Sequence, residues 1–282
     1  MPSIFAMTPD SPVLMRRARM FVLVAVALLS TLVGMPAQAQ GFAAYISPPR
    51  FELQIKPGQT QRQIIDIQHV GVVSGRYRLY TNDWTYRPDN TAAFTDELAA
   101  DSCRPWVALE RNELTIAPGA RFRFRFEITP PPDTVSRECR FAIMVEGLDT
   151  ARVAQDNLNF PVGGRIAVVV YAAIGDAQPQ LTIVSSRVAK VGDQQLPVLE
   201  VRNSGNAHGR LDGFLSGKDA SGAEFEMAPA DSPILPGEVR LIALSPVTPE
   251  GKKPPVIQYP LTVKGVLEWG KTRLPLEQRF AP

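Results

Sequence analysis

Arg121-Phe122-Arg123-Phe124-Arg125-Phe126 is the stretch whose reading decides the fold. Strict alternation on a strand sends the three rings to one face and the three guanidinia to the other. Basic and aromatic residues interleaved in this way also occur on single-stranded nucleic-acid platforms. A core face and a solvated face account for the run without that function. The same period of two recurs outward from it, over Gln63 to Gln68, Gly75 to Thr81, Asn112 to Ile116, Arg140 to Glu146, Leu158 to Tyr171, Leu181 to Val188, Val198 to Arg202, Glu238 to Leu244, Tyr259 to Trp269 and Lys271 to Phe280. No stretch carries a helical stripe. Lys56-Pro57-Gly58, Ala117-Pro118-Gly119, Pro130-Pro131-Pro132-Asp133, Asn203-Ser204-Gly205-Asn206 and Leu235-Pro236-Gly237 supply turn chemistry between the strands. With 26 prolines and 20 glycines among short strands, the expected class is all-β, a sandwich rather than a barrel or an α/β fold.

The start of the chain reads as an export signal. Arg16, Arg17 and Arg19 form a positive region, Met20 to Val33 an apolar stretch short for a bilayer span, and Ala37-Gln38-Ala39 a small-residue cleavage site. Residues 1–39 are therefore expected to be a signal peptide, cut before Gln40, with Met15 a second possible start and an uncleaved anchor the alternative reading. Cleavage removes three arginines and Asp10, so the formal charge falls from +2 to zero. Bulk attraction to nucleic acid or to an anionic membrane needs a positive surplus that the mature chain lacks. Cys103 and Cys139 are the only cysteines, and a pair in an oxidising compartment reads first as a disulfide. A metal held by the two thiols is the weaker reading, because no histidine or further cysteine stands at ligand spacing.

The remainder is long enough for two domains of ordinary size. Gly175-Asp176-Ala177-Gln178-Pro179 interrupts two apolar strands and marks the expected boundary. Two immunoglobulin-like β-sandwiches in series follow, residues 40–174 and 180–282, with 175–179 as linker.

Several runs then share an order and spacing. Ser47-Pro48-Pro49-Arg50-Phe51-Glu52-Leu53 forms a first strand, Leu114-Thr115-Ile116-Ala117-Pro118-Gly119 precedes the Arg/Phe strand, and Arg137-Glu138-Cys139-Arg140-Phe141 opens the penultimate one. Leu158-Asn159-Phe160-Pro161-Val162-Gly163-Gly164-Arg165-Ile166-Ala167-Val168 forms the last. In this order they resemble the first domain of the PapD-like periplasmic chaperones that assemble pili, over about residues 42–174. The resemblance implies a chaperone that lends a strand to an incomplete pilus subunit and holds the subunit's C-terminal carboxylate between its domains. It implies pilus or fimbrial subunits as partners, an outer-membrane usher beside them, and a periplasmic location. Leu158, Phe160 and Val162 lie two apart on one strand face, as a lent strand requires, although an ordinary core face gives the same pattern. Arg50 matches the family's first-strand arginine, and a guanidinium can grip a carboxylate bidentately while staying charged when desolvated. Ala167 occupies the place where the family carries a lysine, so Arg165, two residues earlier on the same face, is the candidate second anchor. Gly163-Gly164 is a candidate bulge that would shift this register, and surface ion pairs are the plain alternative for both arginines. Pro161 cannot donate a backbone hydrogen bond, which sits poorly in a lent strand of the usual length.

Other features have ordinary explanations. Trp84, Trp106 and Trp269 read as core or edge packing, with a sugar platform as the alternative. His69 and His208, the only histidines, fall in different predicted domains, which argues against a Ser-His-Asp hydrolase or a histidine-rich metal site. No nucleophile elbow or phosphate loop is present. The expectation is a protein that is not an enzyme and takes no cofactor. An adhesin-like or structural spacer built from the same sandwiches is the second reading, and a carbohydrate-binding module the third. A spacer would have no need of Arg50, Arg165 or the row of Leu158, Phe160 and Val162.

Overall fold

The computed structural model describes residues 42–87, 91–149, 151–155 and 158–282, with backbone alone for 151–162; the signal segment 1–39 lies outside the described residues. The first sandwich contains β1 (Ala44–Ser47), β2 (Arg50–Ile55), β3 (Gln61–His69), β4 (Gly75–Tyr86), β5 (Ala92–Thr95), β6 (Val107–Leu109), β7 (Glu113–Ile116), β8 (Arg121–Ile128), β9 (Glu138–Gly147), β10 (Ala151–Gln155), β11 (Leu158–Val162) and β12 (Arg165–Ile174). One layer runs β1-β3-β8-β6 and the facing layer β2-β12-β9-β4-β5, with β7 also beside β4. The Arg/Phe alternation is realised in β8: Phe124 and Phe126 are enclosed, while Arg121, Arg123 and Arg125 face solvent. Those rings meet Ile65 and Ile67 of β3 on their own layer and Phe141, Ile143, Val168 and Val170 from the other, closing one core. Cys103 and Cys139 are disulfide-bonded across 36 positions of chain, a loop whose closure stabilises by about 4 kcal/mol on the chain-entropy model.

Two connections shape the outer face of the second layer. β1 pairs with β3, then the chain passes Ser47-Pro48 and β2 joins the other layer, running parallel to β12. Arg50 stands opposite Val169 and Ile55 opposite Ile174, so β2 covers β12 only from Val169 onward, whereas β9 covers β12 from Arg165. The single strand expected from Leu158 to Tyr171 is instead two. It breaks at Gly163-Gly164: β11 pairs with β10 as a separate hairpin, and β12 begins at Arg165. A side chain at Gly164 would bring its Cβ to 2.1 Å from Cβ of Phe42, so glycine there admits the N-terminal ring across the break.

The second sandwich contains β13 (Leu181–Val191), β14 (Gln194–Asn203), β15 (Asp212–Lys218), β16 (Glu224–Pro229), β17 (Val239–Pro246), β18 (Leu261–Trp269) and β19 (Thr272–Phe280). β17 serves both of its layers. Its first half, Val239 to Ala243, pairs with β14, and its end, Leu244 to Pro246, pairs with β16. Leu199, Val201 and Ile242 from one side and Leu215, Met227, Val263, Leu267 and Phe280 from the other fill a second, separate core.

The joint between the sandwiches is pinned by hydrogen bonds. Gly175 N donates to the Ile55 carbonyl at 2.8 Å, Gln178 N to Asn206 Oδ1 at 2.9 Å, and Asn206 Nδ2 to the Ser136 carbonyl at 2.7 Å. Glu138 N also donates to the Asn206 carbonyl at 2.8 Å, and Ala177 is buried.

Candidate functional site: the cleft between the sandwiches

Alternation along β2 sends Phe51 and Ile55 into the first core and Arg50, Glu52 and Gln54 outward. On β12 the same face carries Arg165, Ala167, Val169, Tyr171 and Ala173, of which Val169, Tyr171 and Ala173 stand opposite Arg50, Glu52 and Gln54. This outer face meets the second sandwich. Tyr171 packs edge-on to Trp84 at 5.3 Å and lies against the His208 ring at 3.9 Å, and Leu235 joins Trp84, Ala142 and Met144 in a small apolar cluster. The second sandwich reaches back with His208 and Arg210 from the β14–β15 connection and Asp231 from the β16–β17 connection.

Charged groups from both sides close on one another here. Glu52 Oε1 lies 3.0 Å from Arg50 Nε and 3.2 Å from Arg210 Nε. Asp231 spans the same two guanidinia, with Oδ2 3.3 Å from Arg50 Nη1 and Oδ1 3.0 Å from Arg210 Nη1. Arg210 also reaches the Tyr171 hydroxyl at 3.4 Å and lies over its ring. His208 N donates to Glu138 Oε2 at 2.7 Å, its Nδ1 bonds the same oxygen, and its Nε2 stands 3.6 Å from Glu52. Beside this cluster the cleft opens into a cavity of about 470 Å³, with Gln54, Pro179 and the Trp269–Thr272 turn on its walls.

The cluster biases its own protonation. Burial works against a charged His208, but the hydrogen bonds to Glu138 and Glu52 outweigh it and raise the imidazole above its usual range. The His208 hydrogen bond, helped by the charges of His208, Arg50 and Arg210, holds Glu52 down at about 2 against the opposing effect of burial. Burial pushes the Tyr171 phenol up to about 12, so it remains a neutral hydroxyl, accepting from Arg210. Such a site has cations to offer a carboxylate. Among the described residues no group of His, Cys, Asp and Glu is disposed to hold a metal ion.

The structure therefore places Arg50 in the cleft, tied to carboxylates on both sides of it. Arg165 stands elsewhere on the same strand face, opposite Glu146 and four residues before Val169, about 13 Å of strand away from Arg50's partner. The β14–β15 connection brings Arg210 beside Arg50 through Glu52 and Asp231, while the β2–β12 register holds Arg165 away. Leu158, Phe160 and Val162 lie in β11, whose backbone pairs with β10 and whose side chains are outside the described residues. Trp84 is buried and its Nε1 donates to the Phe141 carbonyl at 3.2 Å, while Trp106 and Trp269 are partly buried against the two cores, a packing role in each case. Sequence reasoning missed His208, Arg210 and Asp231. Glu52 was in view inside the Pro-Pro-Arg-Phe-Glu run; for the other three no local pattern announces that two loops of the second sandwich meet β2.

No family model matches the sequence, and no curated relative matches it. Solved structures do show similarity. One is the chaperone and tip-adhesin complex of CFA/I fimbriae biogenesis, at 14% identity and a TM-score of 0.45, covering 86% of this chain and 100% of that one. A second is the CsuC–CsuE chaperone and tip-subunit pre-assembly complex from the archaic chaperone-usher Csu pili of Acinetobacter baumannii, at 13% identity and 0.43, covering 86% and 100%. A third is the E. coli chaperone DraB, at 12% identity and 0.43, covering 85% and 100%. Each of these likenesses spans most of this all-β chain, at an identity of 14% or less and a TM-score of 0.45 or less.

Proposed function

We propose that this protein is a periplasmic, non-enzymatic chaperone that caps pilus-type subunits by pairing with their exposed strand edge and holding their C-terminal carboxylate, before release to an outer-membrane usher. The observation that carries the reading is the uncovered edge of β12. From Arg165 to Val168 this strand is paired on its β9 side, and among the described residues nothing pairs with its other side; β2 takes up that ladder position only at Arg50. A foreign strand laid parallel to β12 along the open edge would end at the Arg50 guanidinium. Open backbone donors and acceptors recruit such a strand, and a charged donor at its end suits a terminal carboxylate. The row of Leu158, Phe160 and Val162 would continue the same track, supplying apolar side chains at alternate positions. Arg165 faces the flank of that track.

The test is binding of a purified pilus-type subunit to wild-type, Arg50→Ala and Phe160→Glu proteins, with circular dichroism to verify folding. Arg50 is more than one-third exposed, so its bond to a carboxylate belongs at the low end of charge-assisted bonds, about 1.5 kcal/mol. Arg50→Ala is then expected to weaken binding roughly tenfold. Phe160→Glu is expected to weaken it while leaving the preference for a free C-terminus intact. Unchanged binding by both folded variants would leave a structural spacer as the better description.

A further inference from the structure

Arg50, Glu52, Arg210 and Asp231 form a closed ring of alternating charge across the cleft, each cation touching both anions. The two carboxylates in that ring are not equivalent. Glu52 is fixed on a strand and is further bound by His208. Asp231 sits on a connection between strands, has the most exposed side chain of the four at 67%, and gives one carboxylate oxygen to each guanidinium. Those are the bonds a peptide α-carboxylate would make at the end of the open β12 edge. Arg210, at 13% side-chain exposure, is held ready by Tyr171 and by the Asp231 carbonyl, so its guanidinium keeps its position when the Asp231 carboxylate leaves.

We propose that the anion site of this cleft is the pair Arg50 and Arg210, one from each sandwich, and that Asp231 is its resident carboxylate, displaced by the C-terminal carboxylate of an incoming strand. The proposal rests on the strand-capping function above and adds to it the second cation and an internal competitor. Without the Asp231 carboxylate the ring holds two cations and one anion, a net attraction for a carboxylate at short range. An exposed ion pair is a weak competitor, which lets a strand that also gains backbone hydrogen bonds displace it. The site also bridges the sandwiches, so a bound carboxylate adds to the contacts holding them together.

Two probes separate the inference from the function it rests on. The first is acetate, followed through the Nε–H nitrogen resonances of Arg50 and Arg210 in the full-length mature protein. Asp231→Asn should show saturable shifts of both signals together, at lower acetate than wild type. The second is a dye-labelled synthetic strand of alternating leucine and serine, with either a free or an amidated C-terminus, followed by fluorescence anisotropy. A resident that occupies the site about nine-tenths of the time lowers apparent affinity about tenfold, so Asp231→Asn should tighten the free-acid strand by up to about that factor and leave the amide unchanged. Arg210→Gln placed on Asp231→Asn should lose the gain, whereas Arg165→Ala should keep it; Arg210→Lys, which preserves the charge, guards against misfolding. Acid preference that depends on Arg50 but is indifferent to both Asp231→Asn and Arg210→Gln overturns this inference and leaves the capping function standing. Coupled acetate shifts with no strand binding in any variant support the anion site and overturn the capping function. Absence of acetate shifts in Asp231→Asn overturns the site itself.

Discussion

At the scale of single residues, His208 shows how a side chain becomes important only after folding. Its ring lies on Tyr171, its backbone and Nδ1 both bond Glu138, and Glu52 and Arg210 complete its charged surroundings. Because its folded pKa is raised, the stability it contributes is fully present below about 6.5, its ordinary value, and is lost as pH climbs through the raised one. Glu52 has the opposite sign: its contribution is present above about 4.5 and is lost as pH falls toward about 2. The contact between the sandwiches is therefore strongest between those limits. In thermal melts, His208→Gln should be less stable than wild type at pH 5.5, with the gap narrowing by pH 9. A gap that ignores pH would assign His208 to packing alone. None of this was legible in the sequence, where His208 is an isolated histidine in a glycine-rich turn. Arg50 was singled out only through the resemblance carried by the Pro-Pro-Arg-Phe run, not by local alternation.

At the scale of elements, legibility followed the strength of alternation. β8, β9 and β12 bury large apolar side chains at every second position or at nearly every position, and their patterns were readable. β15 was not. It buries only Leu215 and Gly217 and leaves Phe214 facing solvent, so its apolar signal is nearly absent and even reversed. The break between β11 and β12 was legible only as a candidate bulge at Gly163-Gly164, since apolar residues continue on both sides and the change of pairing partner that makes it a full break has no local signal. In the β15–β18 ladder, Gly213 and Gly265 adopt positive φ of 137° and 153°. A Cβ on Gly265 would stand 2.2 Å from the Phe214 carbonyl oxygen, a backbone atom held by the ladder. Gly265→Ala should therefore destabilise the second sandwich by about 1–3 kcal/mol, readable as a lowered denaturation midpoint. An unchanged midpoint would show that the ladder yields at no cost.

At the scale of the whole molecule, two cores are joined by a short segment that composition alone marks as a loose linker. The chain between Ile174 and Leu181 is instead pinned at Gly175, Gln178 and Gln180, and Ala177 is buried. Exposure elsewhere is greater: Glu250 to Val256 is open to solvent along its length. A brief digestion with a non-specific protease, read by mass spectrometry, should cut within 250–256 well before 175–179, and substitution of Asn206 by alanine should bring the joint cut forward. Early cleavage at 175–179 in the unaltered protein would mean that the pinning bonds do not persist in solution.

The late start of β2 along β12 would make the cleft of the proposed chaperone a measuring device. If the protein caps strands as proposed, a strand laid along the open edge would be halted where Arg50 occupies the next rung, and its alignment would be counted backward from its last residue rather than set by any motif within it. Odd and even positions from that end then fall on opposite faces, and one residue added at the tail would turn every side chain over, whereas two would restore the facing. Strands with unrelated sequences could share this berth provided that their parity agrees.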